Sequence, residues 1–293
     1  MMRFTEIGQQ LRAFRLESGL RAEEIAARLG VSRAALYRYE KGDVIKLDTI
    51  QRLAELLKIS PLSLLGIGTE YYSRSITYFE RVRQLEESAD QITSVGPPLC
   101  YLTTSDAFDT VLWDILTEAA DASPDRAAQR AAAEQAMGIL AARKRGYQMR
   151  RPNIVHIIST ARLRAYLIGG VAPGIATSER VRRQCRVVAS LEVEAAAQMM
   201  ETEPMGLQFG LMDSEEPSCV FEMLRNRDRA SVTVNPFAPD SLGALPSGVA
   251  MLTGADEAVT AHQRVAQALW SEALKGRAGA TAVREILHRA RAA

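Results

Sequence analysis

Residues 23–42, Glu-Glu-Ile-Ala-Ala-Arg-Leu-Gly-Val-Ser-Arg-Ala-Ala-Leu-Tyr-Arg-Tyr-Glu-Lys-Gly, constrain the fold more than any other stretch of the chain. They predict two short helices joined by a tight turn. Ala26 is small enough for a second helix to cross close above it. Gly30 supplies a turn conformation that a side chain would disfavour. Val31 fills the wedge between the helices, and Ser32 is a good N-cap for the second. Leu36 and Tyr39, three apart, face inward. Arg33, Ala34, Tyr37 and Arg38 are left on the outer face. A supported helix presenting two arginines and an aromatic outward suits the DNA major groove, where arginine pairs with guanine O6 and N7.

The flanks extend the pattern. Ile7, Leu11, Phe14 and Arg15 lead into Ser18-Gly19-Leu20, and residues 47–57 and 59–65 supply further short amphipathic segments. Spacing, turn, capping serine and trailing segments together make residues 6–65 resemble the Cro/lambda-repressor type of helix-turn-helix, the XRE family. The resemblance implies an all-α, five-helix DNA-binding domain over residues 1–66. It also places Ser32, Arg33, Ala34 and Arg38 at bases and nearby phosphates, and Lys41 and Lys46 in a phosphate-contacting loop. Arg15 and Glu40 fall where the family has a structural ion pair. The sequence departs from the family at Arg21 and Ala22, where Thr-Gln is usual. Arg21 is then the candidate phosphate contact, and Ala34 a candidate for packing on a thymine methyl.

A length of 293 residues suggests two domains, and 47% hydrophobic residues are ample for a core. The net charge of +1 argues against a general polyanion binder. The first 66 residues carry 11 Lys and Arg against 8 Asp and Glu, an excess that suits a specific module acting as a homodimer on a palindromic double-stranded site. Cys100, Cys185 and Cys219 have no metal-ligand spacing and are expected as reduced thiols in a cytoplasm. No signal pattern or membrane-length apolar run is present, so no membrane is expected, and no cofactor is expected either.

Beyond residue 66 the spacing of Tyr71, Tyr78, Val82, Leu85, Ala89 and Ile92 predicts one amphipathic helix. It either packs on its own domain or serves residues 67–95 as a linker and dimerisation helix. Residues 96–293 alternate helix and strand patterns, an α/β domain with a mixed sheet. The patterns predict strands at residues 97–103, 153–158, 207–212, 219–224, 230–234 and 249–253. They predict helices at residues 106–120, 124–147, 160–168, 178–202, 256–275 and 280–291, with Asn226-Arg227-Asp228 as a hairpin turn. The element order over residues 92–275 resembles the phospholipase-D-like sensor domains of TrmB-type regulators. The catalytic His-x-Lys-x4-Asp of active relatives is missing, since His262-Gln263-Arg264 lacks it. His156 and His288 stand alone, and no phosphate loop, His-Glu-x-x-His, Cys-x-x-Cys or Ala-Gly cleavage bond in the linker appears. An enzyme is therefore not expected.

What remains is binding. Two predicted strand ends run into helix starts at Thr103-Thr104-Ser105 and Ser159-Thr160, where backbone N–H groups and hydroxyls suit a carboxylate or phosphate. Arg145, Arg162 and Arg229 are candidate charges for such an anionic small-molecule effector. The alternatives are plain helix capping at those positions, and a DNA-binding adaptor whose C-terminal part holds a protein partner.

Overall fold

A computed structural model describes residues 4–66, 68–212, 220–237 and 248–292. The N-terminal region is helical: α1 (Phe4–Ser18), α2 (Ala22–Leu29), α3 (Arg33–Glu40), α4 (Leu47–Leu57) and the single turn α5 (Pro61–Leu64). Leu11, Ile25, Leu36, Leu53 and Leu64 are fully buried at its centre. Gly8 lets α1 cross the end of α3, because a Cβ there would meet the Tyr39 carbonyl oxygen at 2.5 Å.

The C-terminal region is built on a mixed eight-stranded sheet among the described residues, in the order β1-β7-β6-β5-β2-β3-β4-β8. The strands are β1 (Glu70–Tyr72), β2 (Gln91–Gly96), β3 (Asn153–Ser159), β4 (Leu207–Met212), β5 (Phe221–Arg225), β6 (Ala230–Val234), β7 (Ala250–Thr253) and β8 (Leu274–Lys275). β2, β3 and β4 are parallel, with Gln91 beside Asn153 and Ile154 beside Leu207; the other pairings are antiparallel. The helices are α6 (Ser75–Glu86), α7 (Asp106–Asp121), α8 (Arg126–Arg150), α9 (Thr160–Gly169), α10 (Glu179–Thr202), α11 (Asp256–Glu272) and α12 (Gly276–Ala292). α9, α10 and α12 pack on Ile92, Ile154, Ile158, Phe209 and Leu211 on one sheet face. α11 covers Val95, Ile157, Phe221 and Val232 on the other.

Several expectations need correction. Residues 71–92 are not one helix. Glu70 and Tyr72 are buried and Tyr71 is exposed, the two-residue alternation of a strand, and β1 pairs with β7. α6 starts only at Ser75, and Ile92 opens β2. Residues 70–96 are thus part of the sheet and its packing rather than a linker helix. The strand expected at residues 97–103 lies at Gln91–Gly96, because Pro97 and Pro98 lack the N–H groups that a strand between two neighbours needs. Residues 101–103 form a single 3-10 turn.

α8 is capped by Asp125, whose side chain accepts from the Ala128 N–H, and it continues to Arg150. α11 stops at Glu272 and β8 follows. α12 begins at Gly276, although Gly276-Arg277-Ala278-Gly279 reads as a break. The expected strand start at Cys219 lies outside the described residues, and β5 is described from Phe221.

Candidate nucleic-acid interface

The turn between α2 and α3 is set locally. Gly30 has φ +71° and donates back to Ala27 O, while the Val31 N–H donates to Ala26 O, which closes α2 as a Schellman motif. Ser32 is extended and its Oγ accepts from the Ala35 N–H at 3.1 Å, starting α3. Leu36 is fully buried against α2, which fixes the rotation of α3. Ser32, Arg33, Ala34, Tyr37 and Arg38 are consequently exposed together on its outer side.

The two arginines are held by light contacts. Arg33 pairs with Glu23 at 2.7 Å, donates to Tyr37 Oη at 3.2 Å and lies over that ring. The tyrosine contact and Glu23 raise its pKa further above the usual value. Arg38 sits 3.3 Å from Asp43. These pairs are solvent-exposed and easily exchanged for phosphate or base contacts. Arg21, Lys41 and Lys46 are exposed on the flanks of the same region. Beneath it, Arg15 and Glu40 form a two-pronged ion pair, Nε–Oε1 2.5 Å and Nη2–Oε2 3.1 Å, tying α1 to the end of α3.

α1 is also fastened to the C-terminal region, through residues that sequence reasoning missed. Gln10 Nε2 donates to Glu70 Oε1 at 2.7 Å, and Arg81 holds both Glu70 oxygens at 2.9 Å. Tyr72 Oη donates to the same carboxylate. Burial opposes the charge on Arg81, but Glu70 outweighs it and raises the guanidinium pKa. Glu17 accepts from the Ser73 N–H and Oγ at 2.6 Å and from Thr77 Oγ1. The rings of Phe14 and Tyr72 stack 6.0 Å apart. The partners are 56 to 60 positions apart in the chain for the contacts of Gln10 and Glu17, so no local spacing signals them.

The expected effector residues do not converge on one site. At the start of α7 a carboxylate is already in place: Glu192 of α10 accepts from the Ser105 N–H at 3.1 Å and from its Oγ. The exchange is reciprocal, because Glu118 of α7 accepts from the N–H and Oγ of Ser178 at the start of α10, both at 2.8 Å. Thr103 and Thr104 donate to Cys100 O and Tyr101 O. Ser159 caps the Arg162 N–H, and Thr160 donates to Met212 O. Arg145 and Arg162 are exposed. Arg229 stands in the β5–β6 hairpin at the end of the sheet where β2 and β3 start, the opposite end of the strands from Ser159, roughly 17 Å along the sheet.

Two of the cations near the end of α8 are buried in ion pairs. Arg143 is buried against Glu86 at 2.7 and 2.9 Å, between the rings of Phe79 and Tyr101, and Lys144 is buried against Asp109 at 2.7 Å. A cleft of about 620 Å³ opens at the strand-start end, lined by Asn153, Glu203, Leu207, Gln208, Trp270 and Lys275 among others.

Residues 6–64 match the family model for a helix-turn-helix domain. The match spans about a fifth of the chain and includes every residue from the supporting helix through α5. No curated protein matches the chain. The N-terminal region is therefore a helix-turn-helix region, the kind of module that points to DNA binding. The resemblance of residues 92–275 to phospholipase-D-like sensor domains gains no support from a relative. Among the described residues no helix is long and apolar enough to cross a membrane.

Proposed function

We propose that the chain is a sequence-specific transcriptional regulator that places α3 in the DNA major groove. In this reading Arg33 and Arg38 read bases, Ala34 packs against a thymine methyl, Tyr37 lines the groove wall, and Ser32, Arg21, Lys41 and Lys46 meet phosphates. One observation carries it: Ser32, Arg33, Ala34, Tyr37 and Arg38 are exposed together on a helix whose opposite side is locked by the fully buried Leu36. The protein works as a homodimer on a two-fold operator, inside the cell, with no catalysis of its own.

The C-terminal region is read as a sensor for a small molecule. The helix N-terminus at Ser105 is filled by a protein carboxylate, so the effector is assigned to the open cleft at the strand starts. Differential affinity of the effector for two dimer shapes is then enough to change operator affinity. The buried Glu70–Arg81–Gln10 contacts favour transmission, because α1 must move with β1 and α6.

The test begins with operator selection from random duplexes, followed by titration of the selected site. Arg38→Ala is expected to weaken specific binding about 5- to 150-fold, the range for one base-reading arginine, with an unchanged melting temperature. Unchanged operator affinity in both Arg38→Ala and Arg33→Ala would overturn the assignment of α3.

A further inference from the structure

α10 is a continuous helix of 24 residues, about 36 Å long. Its inward stripe, Cys185, Ala189, Glu192, Ala196 and Met200, is buried. The opposite stripe, Gln184, Val187, Leu191, Ala195 and Gln198, follows a 3-4-4-3 spacing and is exposed. Val187 and Leu191 stand at its centre with 59% and 55% of their surfaces open to solvent. The most outward part of a surface helix is where charge is expected, yet two aliphatic side chains one turn apart occupy it.

The charges on α10 also run against its own dipole. Residues 179–187 hold four arginines and one glutamate, whereas residues 192–203 hold four glutamates and no basic residue. Cations at a helix N-terminus and anions at its C-terminus are both unfavourable for an isolated helix. Neighbours relieve part of this. Glu179 lies 3.6 Å from Arg182 and from Arg186, and Arg284 of α12 lies 2.8 Å from Glu194 and from Glu201. A rigid helix cannot bring its own two halves together. A second α10 laid antiparallel does so, setting each basic half beside an acidic half and opposing the two dipoles.

We propose that this stripe is a two-fold interface on which a second copy of the chain packs its own α10 antiparallel, with Leu191 at the axis. Val187 then faces the partner copy's residue at position 195, and Gln184 its residue at position 198. A parallel pairing would stack arginines on arginines and is disfavoured by the same charges. The inference rests on the homodimer part of the functional reading and on nothing in the DNA contacts, so assembly and operator affinity fail separately.

Sedimentation velocity of the full chain without DNA tests it. The wild-type chain is expected to be a dimer, and Leu191→Glu to weaken dimerisation about a hundredfold, as loss of a central hot spot does. Its circular dichroism should be unchanged, because Leu191 is exposed within the protomer. A cysteine series, made with Cys219→Ser, gives the register. Leu191→Cys should close a disulfide across the axis on mild oxidation. Gln184→Cys alone should not, but Gln184→Cys combined with Gln198→Cys should. The remaining Cys100 and Cys185 are buried and do not compete. A monomer at high micromolar concentration overturns the proposal. So does a dimer that neither weakens with Leu191→Glu nor cross-links through Leu191→Cys, or one that cross-links through Gln184→Cys alone.

Discussion

His156 has no solvent exposure and lies edge-on to Phe209, at 5.4 Å between ring centroids. Burial outweighs the backbone contact with Pro97 and pulls its pKa down to about 3, against an ordinary value near 6.5. Well above pH 6.5 the ring is uncharged in both folded and unfolded chains and adds no pH dependence. Below about pH 6.5 the unfolded chain takes up a proton that the folded chain refuses, so stability falls as pH is lowered, until the folded pKa is reached. Between about pH 6 and 4 the wild-type chain should therefore lose roughly 1.4 kcal/mol per pH unit more than His156→Phe, measured by urea unfolding at each pH. Parallel pH profiles for the two proteins would show that the ring is not held neutral. Cys100, whose thiol burial pushes up to about 12, is inert for the same dielectric reason.

At the scale of the element, α12 shows how packing overrides propensity. Gly279 in the first turn of α12 ordinarily weakens the helix, and Ala in its place adds up to about 1 kcal/mol. Here a Cβ would stand 2.6 Å from the Leu274 carbonyl oxygen and 2.3 Å from Met200 Cε. The methionine end can move, but the backbone carbonyl cannot without disturbing β8. Gly279→Ala is accordingly expected to destabilise the chain by about 1–3 kcal/mol, an overpacking cost that reverses the propensity gain. Denaturant midpoints settle the sign, and a stabilised variant would show that α12 has room to withdraw. The same comparison explains the reading of residues 276–279 as a break: two glycines signal a turn locally, and only the approach to α10 makes one of them a helical contact.

On the whole-molecule scale the two regions share α1. Its Ala13 and Phe14 are buried, Ala13 in a cluster with Tyr72, Tyr78 and Leu252, and Gln10 is buried against Glu70. Cutting after residue 66 uncovers these side chains and removes the partners of Glu17. Burying one large apolar side chain is worth about 1.5–3 kcal/mol, and a domain of this size is marginal to begin with. The isolated fragment 1–66 should thus exchange the Leu11 and Leu36 amides faster than the full chain, by about tenfold or more. Equal protection would show that α1 gains nothing from the sheet. This fastening is also why an effector bound to the C-terminal region has a mechanical route to α3, through Glu40, Arg15 and the rest of α1.

The sequence by itself determined whatever rests on neighbours in the chain. The Gly30 turn, the Ser32 cap, the inward Leu36 and outward Arg33 and Arg38 depend on contacts within a few residues, and so do the helical periods of α7 and α10 and the β5–β6 hairpin. Tertiary structure decided the rest. The strand character of Glu70–Tyr72 appears only when β7 pairs with it from about 180 positions away. The helix start at Ser105 looks like an open anion site until Glu192 arrives from α10. Arg143 and Lys144, cations near the end of α8, find Glu86 and Asp109 only when other helices pack against them. A local pattern states which groups seek a partner, whereas the identity of that partner is fixed by the global packing, which no window of sequence contains.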